Sequence, residues 1–98
     1  MPIAHVVTFS FTANTTSETI DALSRALEAV SHSCSGIESY HHGADLRLRP
    51  GNADYAVAAV FRDQQALSDY MTDPQHQRVN TEFASFVAAK SSVQFPVP

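Results

Sequence analysis

The chain is short of the features that mark secreted, membrane-bound and nucleic-acid-binding proteins. Cys34 is the only cysteine, so no internal disulfide can form and a cystine-stapled scaffold is excluded. Basic residues are few: 6 Lys+Arg stand against 10 Asp+Glu, for a formal net charge of −4. A nucleic-acid binder needs a basic stripe to neutralise phosphates, and an anionic membrane surface calls for a run of Lys or Arg; the sequence has neither. No stretch approaches the roughly 20 apolar residues of a membrane helix. The opening Met1-Pro2-Ile3-Ala4-His5 lacks the basic and apolar regions of a signal peptide, and the expected location is cytoplasmic. The glycines Gly36, Gly43 and Gly51 form no phosphate loop, and there is no repeat or low-complexity tract.

What remains is an ordinary folding composition. Apolar residues make up 44 % and charged residues 16 % of 98 residues, enough for one domain spanning 1–98. A chain this short buries a limited share of its surface alone, and association with a second copy is a common remedy.

Ile3, His5, Val7, Phe9 and Phe11 alternate with Ala4, Val6, Thr8 and Ser10, which predicts a strand. Thr15 and Glu18 have capping-box spacing ahead of Ile20, Leu23, Leu27 and Val30, which recur at helical period over about Ser17 to His32. Ile37 to Gly43 reads as a short polar strand. Ala44 to Ala53 is irregular, with turn residues Pro50, Gly51 and Asn52. Tyr55 to Phe61 is a strand apolar on both faces. Asp63 is a candidate N-cap for a helix carrying Ala66, Leu67, Tyr70 and Met71. Asp73-Pro74 interrupts it, and a helical period resumes through His76, Val79, Phe83, Phe86 and Val87. Val93, Phe95 and Val97 form a last strand.

The order β-α-β-β-α-β is the α+β, ferredoxin-like arrangement, with both helices on one face of an antiparallel sheet. The doubly apolar third strand then leaves an apolar face bare. The economical cover is a second copy, sheet against sheet, and a homodimer is expected.

Three polar residues interrupt apolar stripes: His5 on strand one, Tyr70 on the second helix, and His76 after the break at Pro74. The break re-aims the chain between Tyr70 and His76 and makes their convergence conceivable. An imidazole is a natural acid or base at neutral pH, and a phenol can donate to a developing oxyanion. The competing reading is a set of satisfied core residues. Adjacent His41 and His42 point to opposite strand faces and cannot chelate together; with His32 and Asp45 they lack any metal-site spacing, and they are expected to be surface histidines. No metal is expected. Cys34 reads as a half-buried inert thiol, and Arg47 and Arg49 as solvated loop charge.

Ile3-Ala4-His5-Val6-Val7-Thr8-Phe9-Ser10-Phe11 resembles the first strand of stress-responsive A/B barrel (Dabb) domains. Phe61…Ala66-Leu67…Tyr70…Asp73-Pro74-Gln75-His76 resembles the same family's aromatic-helix-Tyr-x-x-x-Pro-x-His pattern, and Val93-Gln94-Phe95 fits its last strand. The resemblance implies a dimeric α+β barrel with a pocket between each sheet and its helices. It relates the chain to the plant polyketide cyclase olivetolic acid cyclase, and so implies His76 as acid/base, Tyr70 as the carbonyl-orienting group and His5 as a pocket histidine. Apolar members of the predicted elements complete the candidate pocket: Val7, Phe9, Tyr55 and Val57 from the strands, Leu27 and Phe83 from the helices. The implied function is a cofactor-free, cyclase-like enzyme acting on a small apolar or aromatic carbonyl compound. A non-catalytic small-molecule-binding or stress-associated dimer is the alternative. A cofactor-free monooxygenase of the same barrel type is a further one, and a purely structural module the last.

Overall fold

A computed structural model describes residues 1–98. The elements run β1 (Ile3–Phe11), α1 (Ser17–Ser33), β2 (Ile37–Ala44), β3 (Tyr55–Phe61), α2 (Gln64–Thr72), α3 (Pro74–Phe83) and β4 (Val87–Pro96). The four strands form one antiparallel sheet in the order β2-β3-β1-β4. This is the expected ferredoxin-like α+β fold, with the helices all on one face.

Local chemistry explains most element ends. Asp63 caps α2, its carboxylate accepting from Ala66 N at 2.8 Å. The cap of α1 is Thr16 rather than Thr15: Thr16 Oγ1 accepts from Thr19 N at 3.2 Å, while the Thr15 hydroxyl bonds Thr12. Gly36 turns the chain from α1 into β2 at φ +81°, and a Cβ there would lie 2.6 Å from Ala66 Cβ. Glycine is needed on both counts.

The last strand is longer than the sequence pattern implies. It begins at Val87, not Val93, and Phe86 and Val87 do not continue the helix. α3 ends at Phe83 and a 3₁₀ turn, Ala84–Phe86, leads into the sheet. Residues 88–92 are small or polar and lie on an exposed edge strand, so no apolar alternation betrays them.

The core lies between sheet and helices. Val30 and Phe61 are fully buried, joined by Leu23, Leu27, Val57, Tyr55 and Tyr70. The other sheet face carries two apolar rows set by the register. Ala58, Val6 and Val93 form one; Val60, Ala4 and Phe95 form the other. Val93 is 54 % and Phe95 45 % exposed. Beyond this face, the β2–β3 loop holds Leu46 and Leu48 in solvent, and with Thr8 and Ala56 they border one shallow groove. No helix is long and apolar enough to cross a membrane.

Candidate functional site

Asp73 organises the site. Its backbone N–H donates to Tyr70 O at 3.2 Å, closing α2. Its carboxylate accepts from Gln75 N at 3.0 Å and His76 N at 3.1 Å, opening α3 with Pro74 in the first turn. One residue thus ends the helix bearing Tyr70 and starts the helix bearing His76. The two rings stack, centroids 4.1 Å apart and planes 30° apart. His5, from the inner face of β1, meets Tyr70 edge-on at 5.9 Å.

These three side chains line a cavity of about 290 Å³ between sheet and helices. Val7, Phe9 and Val57 contribute from the sheet, Leu27 and Phe83 from the helices. Tyr55 does not line it. It packs in the neighbouring core, and its hydroxyl lies 2.8 Å from His42 Nδ1. Alternation places Tyr55 on the inner face, level with Phe9, but on the β2 side of it, where its ring packs against Phe9 and Phe11 and its hydroxyl turns to His42.

Several cavity residues escape sequence reasoning. Lys90 and Ser92 reach it from β4, Asn80 from α3 and Met71 from α2. These four are exposed and mark the rim, whereas His5, Tyr70 and His76 are buried. The signal was the alternation Lys90, Ser92, Gln94, hidden because β4 begins earlier than its apolar residues suggest. Gln94 lies opposite His5, and its amide donates to His5 Nδ1 at 2.9 Å. The proton of the neutral His5 ring is therefore on Nε2. Tyr40, from β2, holds the Tyr70 hydroxyl at 2.8 Å.

Burial sets the charge state of the site. It is the main cause lowering the His76 pKa, helped by Lys90 and opposed by the Met71 and Tyr70 carbonyls and by Asp73. His5 is lowered by burial, then by His76 and Lys90. Burial raises both phenols, Tyr40 far above its ordinary value. Near neutral pH the site therefore holds two uncharged imidazoles and two protonated phenols. Nδ1 of His76 is buried without any hydrogen-bond partner.

His42 is not the surface histidine expected. Its side chain is only 7 % exposed, because α1 covers it. Glu28 Oε1 lies 2.8 Å from its Nε2, so Nε2 donates to the carboxylate and Nδ1 accepts from Tyr55. His41, on the other face, is exposed. No three His, Cys, Asp or Glu side chains gather where they could share a metal ion. Cys34 is partly buried, and burial raises its thiol pKa.

The family profile of the stress-responsive A/B barrel domain (Dabb) matches residues 3–97. The chain belongs to this family. No curated protein matches its sequence. Among solved structures, it is similar to a dimeric ferredoxin-like protein of unknown function from Thermobifida fusca YX, with 28 % identity and a TM-score of 0.92 over 99 % of this chain and 92 % of that one. A Dabb protein from Mesorhizobium loti shares the fold at 17 % identity, TM-score 0.80, over 99 % and 96 %. So does the hydroxynitrile lyase of Passiflora edulis at 13 % identity, TM-score 0.86, over 99 % and 94 %. The Tyr-x-x-x-Pro-x-His segment, Tyr70 to His76, lies within the matched residues.

Proposed function

We propose that this Dabb protein is a cofactor-free acid/base enzyme, cyclase-like, acting on a small apolar carbonyl compound in the cavity between sheet and helices. The observation that carries this reading is the convergence of His76, Tyr70 and His5 on one largely apolar cavity, with the imidazoles uncharged and the phenol protonated. A volume near 290 Å³ sits at the low end of ordinary ligand sites, of roughly 300–1,000 Å³.

In this reading His76 removes a proton from carbon next to the substrate carbonyl. Nε2 is the base, since Nδ1 is closed off from the cavity. Tyr70 donates its hydroxyl proton as a hydrogen bond to the carbonyl oxygen as negative charge grows there. Tyr40, bonded to that hydroxyl, holds its orientation. The carbanion attacks a second carbonyl of the same molecule, forming a C–C bond, and His76 returns its proton to the new alkoxide. His5, held by Gln94, supports the substrate from the strand side.

A homodimer belongs to the same proposal. Its support is the pair of apolar rows on the outer sheet face and a dimeric neighbour of closely similar fold. The hydroxynitrile lyase places lyase chemistry on this fold in another protein.

The test is deuterium uptake from D₂O into the methyl group of acetophenone, followed by NMR. Uptake above buffer, abolished in His76→Ala with the circular dichroism unchanged, is expected. Undiminished uptake in His76→Ala removes His76 from the mechanism. Binding of acetophenone without any uptake leaves the non-catalytic binding reading instead.

A further inference from the structure

We propose that the cavity selects ligands carrying a carboxylate, with Lys90 at the rim as the counter-ion, so that the substrate class is a small apolar keto acid. The inference rests on the cavity being the ligand site and adds the ligand's second end.

Lys90 is the only lysine of an acidic chain. It stands on the inner face of β4 opposite Phe9, with Nζ 5.6 Å from the centroid of that ring. No carboxylate pairs with it. The ion pairs of the molecule use Arg47, Arg62, His32 and His42. An unpaired ammonium beside a cavity is free for an anion from outside.

Its neighbours give the cavity two distinct ends. Ser92 follows Lys90 on the same strand face and also lines the cavity, and Asn80 faces the rim from α3. These groups donate hydrogen bonds. The interior walls, Val7, Leu27, Val57 and Phe83, offer none. A ligand that satisfies both ends has an apolar body and an anionic terminus. Lys90 and the His5–Gln94 pair are four residues apart along β4, about 13 Å of strand. That spacing, shortened by the reach of the lysine side chain, suits a carbonyl among the histidines and a carboxylate a few bonds away. Lys90 also disfavours protonation of both His5 and His76, an effect that a bound carboxylate would offset.

The experiment compares 3-phenylpropionate with its uncharged near-isostere 3-phenylpropanamide by isothermal titration calorimetry. A charge-assisted contact of about 1.5–3 kcal/mol corresponds to at least about ten-fold tighter binding of the acid by the unaltered protein. The preference should collapse to near parity in Lys90→Gln, persist in Lys90→Arg, and shrink with added salt. Equal affinities in the unaltered protein, no binding of the acid, or a preference surviving in Lys90→Gln overturns it. Acetophenone carries no charge, so its deuterium uptake tests catalysis separately. Either result can fail while the other stands.

Discussion

Tyr70 and His76, six residues apart, stack face to face because Asp73 binds to both of their backbones. On one unbroken helix that spacing would set them well off a common face. The Asp73–Pro74 junction replaces a helical turn with a corner, and the corner brings the phenol and imidazole to one cavity.

Asp73→Ala should therefore cost more than a cap. Loss of the side-chain acceptor destabilises by about 1 kcal/mol, or about 4–8 °C in Tm for a domain of this size. It should also lower turnover, because the first turn of α3 positions His76. Asp73→Asn keeps the acceptor and should restore most of both. Thermal melts and the acetophenone assay, run side by side, check this; full activity in Asp73→Ala would show that the junction holds without its cap.

Stability should fall on acidification through the histidines. His5 and His76 have lowered pKa values in the folded protein, so the unfolded chain binds protons first as pH drops. The stability they contribute is present above the unfolded value of 6.5 and is lost as pH falls from there towards the folded values. Urea unfolding between pH 7.5 and pH 5 measures the slope. Replacing His5 with Gln should flatten it, and an unchanged slope contradicts the assignment.

Tyr70→Phe should separate catalysis from folding. It removes the donor to the substrate carbonyl and one partner of the Tyr40 hydroxyl, at a stability cost of about 1–3 kcal/mol. Catalysed exchange should drop by about 100-fold or more, the scale of losing one oxyanion donor. Tyr40→Phe should cost similar stability with a smaller loss of rate. Equal rates for Tyr70→Phe and the unaltered protein would exclude the phenol as donor.

Val93→Glu should split the dimer. The residue is 54 % exposed at the β4 end of an apolar row, and charge on a face meant to be buried is costly. Sedimentation velocity at micromolar concentration should show dimer before and monomer after. A monomer before substitution rejects the sheet-to-sheet assembly.

Gly36→Ala should destabilise strongly. It places a side chain at φ +81° with its Cβ 2.6 Å from that of Ala66, where two packed elements would have to separate. A melting temperature unchanged from that of the parent protein contradicts it.

The sequence disclosed the parts with strong local signals. Alternation revealed β1 and β3, the period of Leu23, Leu27 and Val30 revealed α1, and the capping chemistry of Asp63 revealed the start of α2. It did not disclose partners set by sheet register. Lys90 and Ser92 face the cavity because β4 pairs with β1 from Val87 onward, a fact of tertiary pairing on a strand of small and polar residues. Tyr40 escaped because its strand is polar and its value lies in reaching across to Tyr70. The sequence puts His41 and His42 on opposite faces but reads both as exposed, since only the packing of α1 brings Glu28 over His42.

The chain has no tryptophan, and its three tyrosines, Tyr40, Tyr55 and Tyr70, all lie in the hydrogen-bonded aromatic cluster at or behind the cavity. Tyr55 joins the cluster through His42, Tyr40 lies one ring behind Tyr70, and Tyr70 stacks on the His76 imidazole. Emission excited near 280 nm, quenched by that contact, becomes an optical gauge of occupancy and of His76 protonation that needs no label.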